Sequence, residues 1–382
     1  MKIGRNLAWI ILSLFTICLV SPGALKAESL DIKAESYILL DADSGQVLLA
    51  HDEHKKLPPA SMTKLMTLIL VAQDLQAGKA SLTDMVITSE NAWKMGGSQI
   101  WLEPGEKLSL EEMLISIAVG SANDSCVAVA EYLEGSHEAF VERMNKTAAD
   151  LGLKDTHFAN SHGLPAEGHY SSPHDMALLA QIALNYPKIL EYSSIKEYDL
   201  RNGALKLYNT NKLLWWYQGT DGFKTGWTNE AKYCLTATVK RDGLRLIAVV
   251  MASPQARDHF RDSMMLFNYG YAKYAFKSFF DQGQVCGTVK VGKGLMDSVE
   301  VVAAADVGSI CLKGEEKSIS YQQNLPRYVD APVQKNQKIG EMEIYKDQIL
   351  VKKVDLLAAQ QVAKAGLFKE ILRLLQDITL LG

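Results

Sequence analysis

Residues 58–71 read PPASMTKLMTLILV. The two prolines cannot continue a preceding helix or sheet ladder, so they mark where a new element begins. After them, apolar residues occupy every side of a helical projection, and a helix that is hydrophobic all round is a buried one. The stretch therefore predicts a buried helix with Ser61 at its N-terminus and Lys64 one turn further along the same face.

Ser61 and Lys64 together have the form Ser-x-x-Lys. The dipole at a helix N-terminus favours a developing alkoxide, and a lysine in a dry site can lose its proton and act as a base. A nucleophile beside an activating group is the general arrangement of covalent catalysis. The motif alone is weak, because Ser193 and Lys196 match it without a following apolar helix. A plain N-cap serine with an exposed lysine would look the same.

A second element, Ser121-Ala122-Asn123, follows an apolar helical stretch that ends near Gly120. A hydroxyl and an amide two residues apart can relay a proton and orient the amide of a substrate. The pattern is also weak by itself, because residues 89–91 match it. A loop or N-cap serine ahead of the next helix is the alternative explanation.

A third element, Lys224-Thr225-Gly226, leads into a region of strands. A lysine and a hydroxyl at a sheet edge can bind a carboxylate, and a glycine lets a substrate approach the backbone closely. An ordinary turn into a strand is the alternative for this tripeptide taken alone.

In this order, Ser-x-x-Lys, Ser-x-Asn and Lys-Thr-Gly are the signature of the penicillin-binding and serine β-lactamase superfamily. Within it, the chain resembles the low-molecular-weight D-alanyl-D-alanine carboxypeptidases over nearly its whole length. Besides the motifs, the segments that carry the resemblance are Asn160–Pro165, Ser171–Ala177, Asn209–Leu213 and Asp221–Thr228. The chain has Trp227 where relatives often have histidine, His174 where arginine is common, and Ala122 where glycine is common. These departures bear on substrate preference and not on the reaction class.

The resemblance implies a catalytic set. Ser61 would attack the carbonyl of the penultimate D-alanine of a peptidoglycan stem peptide, Lys64 would take its proton, and Ser121 would pass a proton to the departing D-alanine. A β-lactam would trap Ser61 as a slowly hydrolysed acyl-enzyme. No metal or organic cofactor is implied.

The resemblance also implies a substrate-binding set. Asn123 would hold the peptide amide, while Lys224 and Thr225 would bind the terminal carboxylate next to Gly226. The backbone N–H of Trp227, together with that of the nucleophile, would form an oxyanion hole, a role that needs no particular side chain.

Outside the motifs, the pattern predicts an α+β fold. Strands are expected within Tyr37–Leu49 around a tight turn, at Tyr233–Lys240 and at Leu244–Ala252. Helical patterns cover 110–133, 137–151, 174–185 and 259–276. We therefore expect a β-lactamase/transpeptidase-like domain, in which an antiparallel sheet packs with a helical cluster. A small all-β sandwich domain and a C-terminal amphipathic helix would follow.

The predicted limits are 1–27 for a signal peptide, 28–280 for the peptidase domain, 281–354 for the β-sandwich domain and 355–382 for the helix. Lys2 and Arg5 precede an apolar run from Leu7 to Val20, and a short stretch follows up to Ala27, which is the layout of a secretory signal peptide. An uncleaved anchor is the alternative. We expect an exported protein at the outer face of the cytoplasmic membrane, in the periplasm or cell-wall space.

The C-terminal tail is amphipathic when it is drawn as a helix. Apolar residues such as Leu367, Ile371 and Leu375 fall on one face, and charged residues such as Lys369 and Arg373 fall on the other. The charges disfavour a membrane span, so we expect the helix to lie on a membrane surface as an interfacial anchor. A helix packed on its own protein, or on a second copy, is the alternative.

The net charge is −4 over 382 residues, which excludes a strongly basic nucleic-acid surface. Beyond the N-terminal run the cysteines are Cys126, Cys234, Cys286 and Cys311, too few for a disulfide scaffold and without the spacing of a metal site. Cys286 and Cys311 are able to pair within the small domain, although free buried thiols are the simpler expectation.

Other activities share the three motifs. A class A β-lactamase adds a Glu-x-x-x-Asn loop, but the residue four positions after Glu167 is Ser171. A transpeptidase or endopeptidase of the superfamily differs only in the acyl acceptor or in the bond cleaved. From another functional class, a non-catalytic penicillin sensor or wall-organising factor would keep the motifs without releasing D-alanine.

Overall fold

The computed structural model describes residues 30–366. The predicted signal peptide and the tail from residue 367 onward lie outside the described residues. The helices are α1 (Lys64–Gln76), α2 (Glu90–Trp93), α3 (Leu110–Ile115), α4 (Asn123–Glu134), α5 (His137–Asp150), α6 (Pro173–Ala183), α7 (Pro187–Ser194), α8 (Leu213–Trp216) and α9 (Asp258–Lys273).

The strands of the first half are β1 (Ser36–Asp41), β2 (Val47–His51), β3 (Met85–Ile87), β4 (Lys107–Ser109), β5 (Glu197–Leu200), β6 (Leu205–Tyr208), β7 (Thr220–Thr228), β8 (Lys232–Arg241) and β9 (Leu244–Ser253). Those of the second half are β10 (Tyr274–Phe280), β11 (Val285–Gly292), β12 (Ser298–Ala303), β13 (Val307–Leu312), β14 (Ile319–Asn324), β15 (Tyr328–Asp330), β16 (Lys338–Lys346) and β17 (Ile349–Ala358).

A five-stranded antiparallel sheet in the order β2-β1-β9-β8-β7 organises the first domain. Successive side chains of a strand point to opposite faces, so Ile38 and Leu40 join the core around α1, whereas Leu39 joins the core beneath α9. Because helices cover both faces, the inner strands β1 and β9 carry almost continuous apolar runs. The predicted antiparallel sheet with a helical cluster is confirmed, and it leaves β7 at an edge beside the turn that carries Ser61.

A β-rich domain with its own apolar core follows. Its main sheet has the order β14-β16-β17-β12-β11-β15, and β10 pairs with β13 in a second, two-stranded sheet. Strand β10 begins at Tyr274, directly after α9. Pairing with the second domain therefore starts a few residues before the predicted limit of 280.

The helical pattern over 110–133 is divided after Gly120, where the second motif predicts the end of a helix, whereas the stretch 259–276 was predicted too long. The stretch 110–133 is interrupted because Ser121 adopts a left-handed conformation with φ 61°, and α4 restarts at Asn123, whose backbone N–H donates to Ser98 O at 2.8 Å. The stretch 259–276 ends at Lys273, because the following residues pair with β13.

The predicted start of the C-terminal helix at residue 355 was wrong. Val354, Leu356 and Ala358 are buried in alternation with more exposed neighbours, which is the period of a strand, and Leu356–Ala358 pair with β12. After this strand, Val362 and Lys364 form isolated bridges to Val333 and Gly294. Ladder hydrogen bonds on both sides of the segment outweigh its helical tendency. The rest of the predicted helix lies outside the described residues.

The four cysteines between residues 30 and 366 are free thiols, so Cys286 and Cys311 do not pair. Among the helices of that same range, none has both the length and the apolar character needed to cross a membrane.

Candidate active site

Ser61 lies in a single 3₁₀ turn, Ala60–Thr63, that leads directly into α1. Two glycines let other segments approach this turn closely. A Cβ on Gly226 would come within 2.7 Å of Pro59 O and 3.2 Å of Ser61 N, and a Cβ on Gly163 would overlap the carbonyl oxygen of Ala60. The turn that carries Ser61, the predicted nucleophile, is therefore held between β7 and the Gly163 loop, and each of them approaches the turn at a position where only glycine fits.

The side chain of Lys64 is fully buried and makes three hydrogen bonds. Its amine donates to Ser61 Oγ at 2.9 Å, to Asn123 Oδ1 at 2.6 Å and to the backbone carbonyl of His162 at 2.6 Å. Burial removes water from the charged form and lowers the pKa of Lys64 from 10.5 to about 8. At mildly alkaline pH, a large fraction of the Lys64 side chains therefore carries a neutral amine.

The three partners of Lys64 differ in what they can do when the amine loses its proton. Asn123 Oδ1 and the His162 carbonyl only accept hydrogen bonds, so they retain the two N–H groups of a neutral amine. The remaining lone pair then faces Ser61 Oγ, whose hydroxyl can reverse its bond and donate. The arrangement therefore orients Lys64 as a base toward Ser61.

Asn123 is fixed from both ends of its amide. Its Nδ2 donates to Gly96 O at 2.7 Å, while its Oδ1 accepts from Lys64. The next residue, Asp124, is buried and accepts from the backbone N–H groups of Ile100 and Leu102. The start of α4 thus holds the loop 96–102 against the cleft.

Ser121 and Thr225 line the cleft together with Ser61, as the sequence motifs predict. The Oγ1 of Thr225 donates to Thr210 Oγ1 at 2.7 Å. Lys224 differs from Ser121 and Thr225, because its side chain lies beneath the cleft and is 1% exposed. Its amine donates to the backbone carbonyl of Thr225 at 3.1 Å. Burial, and secondarily the nearby Lys64, hold the pKa of Lys224 well below its usual range.

The cleft extends in two directions from Ser61. One side, which we call the Glu230 side, has a volume of about 530 Å³ and is lined by Gly97, Ser98, Asn123, Gly163, Leu164, Pro165 and residues 227–230. The other, the Lys212 side, has a volume of about 330 Å³ and is lined by Ser98, Ser121, Thr210, Lys212, Thr225, Gly226, Trp227, Tyr233, His259 and Phe260. Trp227, which is 55% exposed, borders both sides.

Sequence reasoning missed several residues of this cleft. Lys212 and Thr210 belong to a segment that resembles the carboxypeptidase family, but the resemblance assigned them no role. The same is true of His162 and its carbonyl. No feature of the sequence indicated that His259 lines the cleft. Its ring stacks on Tyr233 with the centroids 5.4 Å apart, and its buried Nδ1 has no hydrogen-bond partner.

The competing motif matches have structural roles. Ser89 caps α2 by accepting from Ala92 N at 3.0 Å. Ser193 is buried near the end of α7, with its hydroxyl bonded to backbone carbonyls, and Lys196 lies over the ring of Trp215. None of these residues lines either side of the cleft within the described chain.

Comparison with known proteins assigns the chain to a family. Residues 23–255 match the D-alanyl-D-alanine carboxypeptidases of peptidase family S11, and residues 274–364 match the C-terminal domain of penicillin-binding protein 5. The chain is 39% identical over 351 residues to the D-alanyl-D-alanine carboxypeptidase DacF of Bacillus subtilis, an alignment that covers 91% of this chain and 90% of that protein. This chain belongs to the D-alanyl-D-alanine carboxypeptidase family.

Other members of the carboxypeptidase family show the same relationship over both domains. The Escherichia coli enzyme DacA is 33% identical over 376 residues, which cover 93% of each chain. The crystal structure of penicillin-binding protein 5 from Haemophilus influenzae superposes with a TM-score of 0.67 at 32% identity, covering 87% of this chain and 98% of that one. The resemblance read from the three motifs is thereby confirmed, as is a transpeptidase-like domain followed by a β-rich domain.

Proposed function

We propose that this chain removes the terminal D-alanine from peptidoglycan stem peptides ending in D-Ala-D-Ala, through an acyl-enzyme on Ser61. One observation carries the assignment of roles: the buried amine of Lys64 is 2.9 Å from Ser61 Oγ and is oriented by two acceptors. The family relationship supports the reaction class. The geometry of the site supports the roles that we assign to these residues.

Acylation begins when Ser61 Oγ attacks the carbonyl of the penultimate D-alanine and Lys64 accepts the hydroxyl proton. Negative charge develops on the carbonyl oxygen, where the backbone N–H groups of Ser61 and Trp227 stabilise it. The close approach of Gly226 to Ser61 N supports this pairing, because it brings the end of β7 beside the nucleophile. Asn123 holds the peptide amide on the other wall.

The departing D-alanine then needs a proton on its nitrogen and a place for its carboxylate. Ser121 passes the proton from the Lys64 ammonium to the leaving amine. We assign the carboxylate to the Lys212 side, where the hydroxyls of Thr225 and Thr210 are adjacent. Lys224 contributes from beneath, since a bound anion favours the charged form of a nearby lysine.

Water completes the cycle by attacking the acyl-enzyme ester, which releases the shortened peptide and restores the Ser61 hydroxyl. A β-lactam enters the same path, because Ser61 opens its strained amide and the ring-opened product stays attached as a slowly hydrolysed ester.

The test is incubation of the protein with a peptide ending in D-Ala-D-Ala, followed by an assay of free D-alanine. We expect the wild type to release more than one mole of D-alanine per mole of enzyme, and we expect Ser61→Ala to release none. Labelling by a fluorescent penicillin should disappear in the same variant. Labelling that survives Ser61→Ala would refute the nucleophile assignment.

The same assay separates the other activities. Acylation by penicillin without release of D-alanine would indicate a sensor, and transfer of the acyl group to an added amino acid would indicate a transpeptidase. Rapid turnover of the penicillin would indicate a β-lactamase. Glu167, the candidate for the β-lactamase loop, does not line the cleft among the described residues, which favours slow hydrolysis.

We also propose that the protein is exported and acts at the outer face of the cytoplasmic membrane. The charged start, apolar run and short final stretch of residues 1–27 support export. The amphipathic pattern of residues 367–382 supports attachment to the membrane surface. Sequencing the N-terminus of the protein recovered from the cell envelope tests the first point.

A further inference from the structure

The two sides of the active-site cleft carry opposite charges. Among the described residues that line the Glu230 side, Glu230 is the only charged one. On the Lys212 side the only permanently charged lining residue, within the same described range, is Lys212. Ser61 lies between them and borders both. A substrate that spans the cleft therefore meets a cation at one end and an anion at the other.

The polarity fixes which part of the peptide reaches Glu230, provided that the proposed function holds. If the terminal carboxylate occupies the Lys212 side, the residues that precede the cleaved bond must extend to the opposite side. They then follow the end of β7 from Trp227 toward Glu230.

Glu230 stands on a well-anchored turn between β7 and β8. Thr228 Oγ1 accepts from the backbone N–H of Ala231 at 3.0 Å, and Ala231 is 1% exposed, so the turn is held from below. The neighbouring Lys232 is engaged with Glu35 and not with Glu230. Within residues 30–366 the Glu230 carboxylate has no ion-pair or hydrogen-bond partner, and it is available to a ligand.

The walls beside Glu230 suit an aliphatic chain. Leu164, Pro165 and the exposed ring of Trp227 line the same side of the cleft. Long amine-bearing side chains lie with their methylene groups along apolar surface and keep the charged end in water. A carboxylate at the end of an apolar wall is therefore matched to such a side chain.

We propose that the Glu230 side is a subsite for a free side-chain amine on the residue immediately before D-Ala-D-Ala, with Glu230 as its counter-ion. The subsite selects stem peptides whose third-from-last residue is a diamino acid with an unsubstituted ammonium group. It disfavours peptides in which that amine has been acylated or joined to another chain.

The experiment compares two peptides that differ only in this charge: Nα-acetyl-L-Lys-D-Ala-D-Ala and Nα,Nε-diacetyl-L-Lys-D-Ala-D-Ala. An exposed ion pair supports a modest effect, so we expect the free amine to raise kcat/KM about two- to fivefold in the wild type. The preference should shrink in high salt. Glu230→Gln should bring the ratio close to one by slowing the free-amine peptide only.

A charge-reversal variant and a control variant at a distant carboxylate test whether the preference depends on the charge of Glu230. Glu230→Lys should favour Nα-acetyl-L-Glu-D-Ala-D-Ala over the lysine peptide, whereas Glu142→Gln, which removes an exposed carboxylate on α5, should leave every ratio unchanged. An equal ratio in the wild type and Glu230→Gln overturns the proposal.

Failure of the proposed function is distinguishable, because the wild type would then release no D-alanine from either peptide. In that case the concentration of each peptide that halves labelling by fluorescent penicillin measures binding instead. The same dependence on Glu230 would support the subsite, and its absence would refute it.

Discussion

The side-chain amine of Lys64 lies 2.9 Å from Ser61 Oγ, on a lysine that has no exposed surface. The proximity follows from the spacing of three residues across the 3₁₀ turn that leads into α1, but the orientation does not. Asn123 and the carbonyl of His162, from two other parts of the chain, turn the amine toward the serine. In the proposed mechanism, this relationship makes the protonation state of Lys64 the variable that controls acylation.

Acylation should therefore depend on pH. Only the neutral amine accepts the Ser61 proton, and the pKa of Lys64 is lowered to about 8, so the rate of labelling by fluorescent penicillin should rise with pH and level off above about 8. Lys64→Arg should show no labelling at any pH, because a guanidinium does not deprotonate in a protein. A rate that is flat between pH 6 and 9 would contradict the assignment of Lys64 as the base.

The lowered pKa of Lys64 also makes the free energy of unfolding depend on pH. The unfolded chain, with a lysine pKa of 10.5, binds the proton more tightly than the folded protein does, with its value of about 8. The contribution of Lys64 to the free energy of unfolding should consequently increase as the pH rises through this window. Comparing the denaturation midpoints of the wild type and Lys64→Met at both ends of the window isolates this contribution.

Gly163→Ala should displace the nucleophile. The added Cβ would overlap the carbonyl oxygen of Ala60, next to Ser61, so we expect penicillin labelling to slow at least about tenfold, together with lost stability. Gly168→Ala is the matched control, since Gly168 also has a positive φ of 75° but its Cβ would meet nothing closer than 3.7 Å. The control should lower the free energy of unfolding by about 1–2 kcal/mol and label normally. Equal labelling of the two variants would show that the Gly163 loop does not position Ser61.

His259→Phe should stabilise the protein. The buried Nδ1 of His259 has no partner, and a phenyl ring retains the stacking on Tyr233, so the free energy of unfolding should rise by about 1 kcal/mol. The pKa of His259 is lowered from 6.5 to about 4 by burial, which means that wild-type stability falls as the pH drops through this window. The gain in the variant should thus be larger at pH 5 than at pH 7.5 in urea denaturation. His259→Asn, which loses the stacking, should not show a gain.

The C-terminal tail should bind anionic vesicles through its apolar face. Leu375→Asp in the full chain should reduce co-sedimentation with phosphatidylglycerol vesicles, because it places a charge among the apolar residues. Gln376→Asp adds the same charge on the polar face and should have a much smaller effect. Similar losses in both variants would point to simple electrostatic repulsion and against an amphipathic anchor.

Local patterns identified most of the elements that hold the site. The prolines and the apolar run placed Ser61 and Lys64 at the start of a buried helix, and the β-branched strands indicated the antiparallel sheet. Patterns failed where a local tendency met a stronger tertiary constraint. Residues 355–358 have a helical tendency, but hydrogen bonds to two neighbouring strands make them the end of β17.

The sequence by itself determined the three motifs, their order along the chain and hence the family, and it predicted Ser61 as the nucleophile, because those depend on residue types at short spacing. Tertiary structure alone decided that Lys64 faces the carbonyl of His162, 98 residues away, that Lys224 is buried beneath the cleft, and that Lys212 and Glu230 lie on opposite sides of Ser61. The physical reason is that burial and charge in a cleft arise from segments brought together by packing. The spacing of residues along one segment does not determine which residues of other segments will pack against it.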